Sequence, residues 1–466
     1  MGIIKNNFWS ITAVYSVGFL SLRAISFLLL PLYTNLLSTL EAGYVFILYT
    51  IIAFLNTLYN HGMDSSLLKY FKDNNDSKII TTSTIYSLIW GVLLSILIYL
   101  FSKPLIYFDE VTHYSHQQIA LFLIGILFCD MLSSRLMTVI RLLEKPIYFL
   151  VVSFANVLLS IYLNVWFIYN LNMGFDGALI ALFCVSIVQL LLLAPLLVTK
   201  IKIKLFDFKL LRLMVRFSLP FLPASIFFIM IEMADRIMLG WLSSVNDVGL
   251  YGAGYKIGAL ILLIVKAFNL NWQPFYLKRE NQNDVMAFEA IGTKFIILLI
   301  FFSTLLSMLW PFLFQFQING NYIIGNEFWA GGNIIPIIAL SYIIYGVFIL
   351  QMPSIYIKEK QSWVPYFWGI GCIINILSNY ILIPIYGFYG AALSTLFAYV
   401  SMTLFLVYKN MIWMQIKYNL KDISYISIIS MLALYCYFNS IGNIVFIGLM
   451  YLFASSFRII NIFNKT

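Results

Sequence analysis

Leu219-Pro220-Phe221-Leu222-Pro223, followed shortly by Ile231-Glu232-Met233-Ala234-Asp235-Arg236-Ile237-Met238-Leu239-Gly240, belongs to a stretch, residues 217–242, that is otherwise apolar and of membrane-crossing length. A helix needs about 20 apolar residues to cross a hydrocarbon core of roughly 30 Å. A charge at the centre of such a helix costs at least about 2.5–3.5 kcal/mol. Two carboxylates and a guanidinium in one span therefore persist only where they face one another or a wet cavity. The same holds for Arg23, Asp130, Lys256 and Lys266, stranded in other apolar stretches. Charges placed this way point to a transporter.

The surrounding chain agrees. Its 466 residues are 62% hydrophobic and only 10% charged, with a mean hydropathy of +0.93. The pattern predicts an all-α integral membrane protein of about fourteen transmembrane helices: 9–34, 43–60, 81–102, 118–140, 148–170, 177–198, 217–242, 249–273, 295–315, 331–356, 363–384, 388–408, 423–438 and 444–460. Twelve is the main alternative count. No alternating run suggests a β-barrel, and no stretch outside the spans is long enough for a soluble domain. Lys5 precedes a first span too long for a signal-peptide core, so that helix is expected to remain in the mature protein. Cys129, Cys184, Cys372 and Cys436 all lie in apolar spans and read as small core residues.

A formal charge of +9 raises the question of nucleic acid, but its placement answers otherwise. With Lys5 on the inside, the fourteen spans leave 21 Lys and Arg in inner segments and one, Lys103, in outer loops. The outer loops carry Glu41, Asp109, Glu110, Asp176, Asp247 and Glu327. This is the positive-inside bias, with both termini cytoplasmic and no nucleic-acid partner. Six basic residues between Lys200 and Arg216 form the strongest anchor for anionic headgroups.

Three short matches recur in order. Ser38, Glu41, Gly43 and Tyr49 recur as Ser244, Asp247, Gly249 and Tyr255; Glu144-Lys145 as Glu359-Lys360; and Gly174-Phe175-x-Gly177-Ala178 as Gly387-Phe388-x-Gly390-Ala391. The repeat predicts two six-helix lobes, residues 1–200 and 201–408, in the same orientation, with two additional helices in 409–466. Substrate is expected between the lobes.

Glu232 and Arg236 are four residues apart and share a helix face, with Asp235 alongside. Two compatible readings follow: a Glu232–Arg236 ion pair that holds the helix, and a carboxylate that loads and releases an ion. Pro220 and Pro223 sit where a helix starts. Lys256 and Lys266, taken on one continuous helix, lie about 80° apart on adjoining faces. Arg23 reads as a cavity-facing phosphate fork. Asp130 is a further cavity carboxylate, and Arg135 reads as an anchor near the inner boundary. His113 and His116 beside Asp109 and Glu110 lack metal-ligand spacing and read as a solvated loop. No nucleotide-binding loop or hydrolase elbow is present, so neither an enzyme nor a cofactor is expected.

The run Ala234-Asp235-Arg236-Ile237-Met238-Leu239-Gly240, with Val248-Gly249-Leu250-Tyr251, Tyr255-Lys256-Ile257 and Trp272-Gln273-Pro274-Phe275, resembles the bacterial polysaccharide flippases. These are Wzx-type (O-antigen) members of the multidrug/oligosaccharidyl-lipid/polysaccharide (MOP) exporter superfamily. The turn Gly387-Phe388-Tyr389-Gly390-Ala391-Ala392 is similar to the one before that family's twelfth helix. The resemblance implies a MATE-like fold in the bacterial inner membrane and a substrate of undecaprenyl-pyrophosphate-linked oligosaccharide. It implies alternating access driven by H+ or Na+, with membrane lipids and other polysaccharide-assembly proteins as further partners. Arg23, Arg236, Lys256 and Lys266 would form its cationic lumen, and Asp235, Glu232 or Asp130 its coupling carboxylate. The alternatives are a peptidoglycan-precursor flippase or multidrug antiporter of the same superfamily and, from another class, a membrane polysaccharide polymerase or glycosyltransferase.

Overall fold

This computed structural model describes residues 17–18, 21–22, 25–71, 76–105, 108, 110–277, 285–318, 320–439 and 444–464. Among them the fold is helical apart from one hairpin, β1 (Gln317–Ile318) paired antiparallel with β2 (Asn321–Tyr322). Among the described residues ten helices are long and apolar enough to cross a membrane, twelve spans if each of two helix pairs bent by 43° is one span, and two shorter apolar helices cover Ile25–Leu36 and Ile447–Ile460. Together they fall one for one on the fourteen stretches read from the sequence.

The helices cluster into two compact units, Met1–Ile229 and Met230–Thr466. The first contains α1 (Ile25–Leu36), α2 (Thr39–Asn60), α3 (Met63–Tyr70), α4 (Asp76–Leu100), α5 (His116–Leu142), α6 (Pro146–Asn164), α7 (Gly174–Lys200) and α8 (Phe208–Ser218). Helix α9 (Phe221–Leu242) runs across the boundary. The second unit continues with α10 (Val245–Gly258), α11 (Leu260–Leu277), α12 (Val285–Gln315), α13 (Ile335–Gln351), α14 (Val364–Tyr386), α15 (Phe388–Trp413), α16 (Leu420–Phe438) and α17 (Ile444–Asn464). Within the first unit, Leu136, Ile140, Phe149, Val152 and Leu193 join α5, α6 and α7 in one apolar cluster. In the second, Met308, Ala433, Tyr437 and Tyr451 tie α16 and α17 to α12.

The repeat is visible in the backbone. Ser38 caps α2 by accepting from the Glu41 N–H, and Ser244 caps α10 by accepting from the Asp247 N–H. Glu144 and Glu359 both adopt left-handed φ, 52° and 54°. Behind them the Lys145 N–H reaches the Ile140 carbonyl at 3.1 Å and the Lys360 N–H the Ile355 carbonyl at 2.7 Å. These are the same five-residue closures that satisfy helix-end carbonyls. Gly174 and Gly387 share φ of 52° and 55°. A Cβ on Gly174 would run into the Glu41 carboxylate, and one on Gly387 would meet Asp247 Oδ2 at 3.4 Å. In both units the matched acid thus lies against the matched glycine, at the positive end of the helix that starts there.

Four expectations change. The stretch 249–273 is two helices, broken after Gly258 and bent by 43°, so Lys256 and Lys266 sit on different helices and the 80° relation does not apply. The basic stretch before span seven is itself partly helical. Helix α8 exposes Lys209, Arg212 and Arg216 while burying Met214 and Ser218, and Asp207 caps it. The Lys78 ammonium, 2.6 Å away, holds the Asp207 carboxyl below the usual carboxylate range. Pro220 falls in the 43° bend between α8 and α9, with Pro223 in the first turn of α9. Lastly, Arg135 is fully buried rather than a boundary anchor.

Small residues let α10 lie backbone to backbone against the 3-10 helix Asn326–Ile334: a Cβ on Gly254 would collide with the Gly331 carbonyl, and one on Gly331 with the Leu250 carbonyl. Gly254→Leu is expected to destabilise the protein by about 3 kcal/mol or more through overpacking. Gly448→Leu, where nothing lies within 4 Å, serves as control. Thermal unfolding followed by size-exclusion chromatography in detergent checks this.

Candidate functional site

Span seven places Glu232, Asp235 and Arg236 inside the second unit, 7%, 0% and 7% exposed. Helical spacing puts Glu232 one turn before Arg236, but the carboxylate is not what the guanidinium meets. Arg236 Nη1 donates to the Glu232 main-chain carbonyl at 2.8 Å and to Asp235 Oδ1 at 3.2 Å. The expected Glu232–Arg236 ion pair is replaced by Asp235–Arg236. Asp235 Oδ1 also accepts the Arg236 backbone N–H at 2.8 Å, and Oδ2 accepts the Tyr251 hydroxyl.

That frees the Glu232 carboxylate for other partners. Tyr399 on α15 donates to Oε1, and Tyr342 on α13 donates to Oε2 at 3.3 Å. Tyr342 in turn shares a hydroxyl contact with Tyr255 on α10. The Tyr255 ring lies under the Arg236 guanidinium, 4.3 Å from centroid to Cζ, a cation–π contact strengthened by desolvation. One cation, two carboxylates and four tyrosines thus close a network over α9, α10, α13 and α15. Its formal charge with both carboxylates ionised is −1, and the uncompensated carboxylate is Glu232.

Lys256 and Lys266 are half-buried, on α10 and α11. Asn375 and Asn379, one turn apart on α14, are fully buried and bonded to each other at 3.0 Å, with Asn375 Nδ2 and Asn379 Oδ1 otherwise unpartnered among the described residues. In the first unit Asp130 accepts from Ser186 Oγ at 2.8 Å and Asn56 Nδ2 at 3.3 Å, joining α5 to α7 and α2. Arg135, five residues further, lies 3.4 Å from Asp64 Oδ1, and Asp64 Oδ2 accepts from Ser134 at 3.0 Å. Arg23 lies outside the described residues.

The tyrosines were missed by sequence reasoning. Tyr251 and Tyr255 carry a usable signal, being four apart in the span that follows the three charges, because a buried phenol needs an acceptor. Tyr342 and Tyr399 have none, since each reaches Glu232 from a distant part of the chain.

Residues 6–274, more than half of the chain, match the family described as polysaccharide biosynthesis protein. The chain belongs to that family. Its fold is that of MOP-superfamily transporters. It is similar to the inward-closed lipid II flippase MurJ, with a TM-score of 0.70 and 16% identity over 97% of this chain and 98% of that one. It is also similar to an inward-facing multidrug resistance MATE transporter of the MOP superfamily, with a TM-score of 0.68 and 14% identity over 83% of this chain and 94% of that one. The Vibrio cholerae MATE transporter VcmN (D35N mutant) gives a TM-score of 0.56 and 14% identity over 85% and 94% of the two chains. No curated protein sequence matches.

Removing one member of a buried ion pair strands the other, at a cost of about 3–5 kcal/mol, whereas replacing both with apolar residues is often neutral. Asp235→Asn is therefore expected to lower thermal stability by that order. Asp235→Leu combined with Arg236→Met should recover most of the loss. Unfolding curves of the purified variants in one detergent provide the comparison.

Proposed function

We propose that this protein flips an undecaprenyl-pyrophosphate-linked oligosaccharide from the inner to the outer leaflet of the bacterial inner membrane, by alternating access coupled to H+ or Na+. The observation that carries the reading is the buried network around Glu232, inside a fold shared with transporters and in a family devoted to polysaccharide biosynthesis. A lipid pyrophosphate cannot cross hydrocarbon unaided, because its charges and sugars cost far more to desolvate than its tail returns. A multi-pass protein with intramembrane cations supplies the missing polar path.

The residues take separate roles in this reading. Glu232 is the coupling carboxylate. Ionised, it accepts from Tyr399 and Tyr342; protonated or bound to a cation, it loosens both phenols, which releases α13 and α15 from α9. Asp235 keeps Arg236 neutralised through the cycle. Lys256, Lys266 and Arg23 are the intramembrane cations that meet the pyrophosphate in this reading. Asp130, held by Ser186 and Asn56, is a second ion-binding carboxylate. Both termini are cytoplasmic in this orientation, following the basic inner loops. A peptidoglycan precursor would present the same lipid pyrophosphate, and the family assignment favours a polysaccharide repeat over it.

Deleting the gene in the native strain and extracting lipid-linked sugars tests this. The expected result is repeat units confined to the cytoplasmic leaflet with surface polysaccharide lost, restored by the wild-type gene and not by Glu232→Gln expressed at the same level. Repeat units that reach the outer leaflet but stay unpolymerised would instead indicate a polymerase.

A further inference from the structure

A cavity of about 490 Å3 opens in the second unit, away from the Glu232 network, lined by Glu289, Lys294, Lys417, Asn419, Asp422 and Arg458 among others. Three elements meet there: the first turns of α12, the segment entering α16, and the last turns of α17. Helix α12 has 31 residues, so it is about 46 Å long, well beyond a hydrocarbon core of roughly 30 Å. Glu289 and Lys294 lie in its opening turns, ahead of the apolar run from Phe295 to Phe314, so the excess length and the cavity fall at the same end of the helix.

The two acids are already engaged. Glu289 Oε1 accepts the Lys417 backbone N–H at 2.8 Å. Asp422 Oδ1 accepts from Arg458 Nη2 at 2.6 Å, and Oδ2 from Asn419 Nδ2 at 2.7 Å. Three cations against two acids leave the cavity positive. The Arg458 guanidinium spends one edge on Asp422, while its buried Nε has no acceptor among the described residues. A guanidinium fork beside two ammonium groups is the chemistry that receives a phosphate. Met286 in the lining, and Leu420, Phe457 and Ile460 within two residues of lining residues along the chain, are 78%, 75%, 64% and 57% exposed. A water-soluble anion has no use for those side chains, whereas acyl chains do.

We propose that this cavity holds the phosphate of an anionic phospholipid, with its acyl chains against Phe457, Ile460 and Met286. The lipid would staple α16 and α17 to α12 at their charged ends, where Arg458–Asp422 and Lys417–Glu289 already join them. Basic pockets between helices at a membrane surface are known to take such headgroups. The site is independent of the flippase reading.

The test uses the full-length protein in phosphatidylcholine nanodiscs, titrated with phosphatidylglycerol and followed by thermal unfolding and native mass spectrometry. Wild type should retain phosphatidylglycerol and unfold at higher temperature with it. At about 1 kcal/mol, or fivefold, per basic residue, Lys294→Gln with Lys417→Gln should weaken retention by roughly 5- to 25-fold. Lys358→Gln with Lys360→Gln, which removes the same charge elsewhere, should leave it unchanged. Equal losses in both pairs would mean unspecific surface attraction and overturn the proposal. So would the absence of any phosphatidylglycerol preference in wild type. Should the cavity variant fail to fold, millimolar inorganic phosphate added to wild type still decides: stabilisation equal to that by the lipid would assign the site to a soluble anion.

Discussion

Asp235 and Arg236 are buried in the middle of an apolar helix, where an isolated charge is not tolerated, and the surrounding helices are arranged around satisfying them. The pair neutralises itself, but desolvation leaves the remaining lone pairs and N–H groups in need of partners. Tyr251 and Tyr255 on α10 supply a hydroxyl and a ring face, and the network spreads from there to α13 and α15. The cost of one guanidinium in hydrocarbon thus sets which face of α10 meets α9. It also explains why tyrosine occupies positions that leucine would fill in an ordinary apolar bundle.

Once Asp235 is committed to Arg236, Glu232 remains as a carboxylate whose partners are neutral phenols. Neutral donors satisfy the lone pairs of an anion without compensating its formal charge. This division of labour between a structural and a responsive carboxylate three residues apart is the core of the coupling we propose. The first unit shows a related economy. Arg135 is held near Asp64, while Asp130, five residues earlier, is met by Ser186 and Asn56.

Much of this was legible in the sequence. Hydrocarbon thickness dictates span length, so the apolar stretches could be read from the sequence, with twelve or fourteen as the span count. The matched markers stand out because they sit where backbone geometry is demanding: Gly174 and Gly387 at positive φ, Glu144 and Glu359 at helix ends. The break after Gly258 was not legible, since glycine is common inside membrane helices and only packing against Ile338 shows what it allows. The partner of Arg236 depended on a side-chain rotamer, and spacing alone favoured Glu232. Arg135 was misplaced because distance along a span says little about depth when α3, carrying Asp64, folds in beside it.

The most direct measurement is flipping of an undecaprenyl-pyrophosphate oligosaccharide in proteoliposomes, with and without an imposed proton or sodium gradient, comparing wild type with Glu232→Gln. The account predicts that the gradient accelerates wild type and that Glu232→Gln, folded and equally incorporated, no longer responds to it. A Glu232→Gln protein whose transport follows the gradient as wild type does would contradict the assignment of the coupling carboxylate.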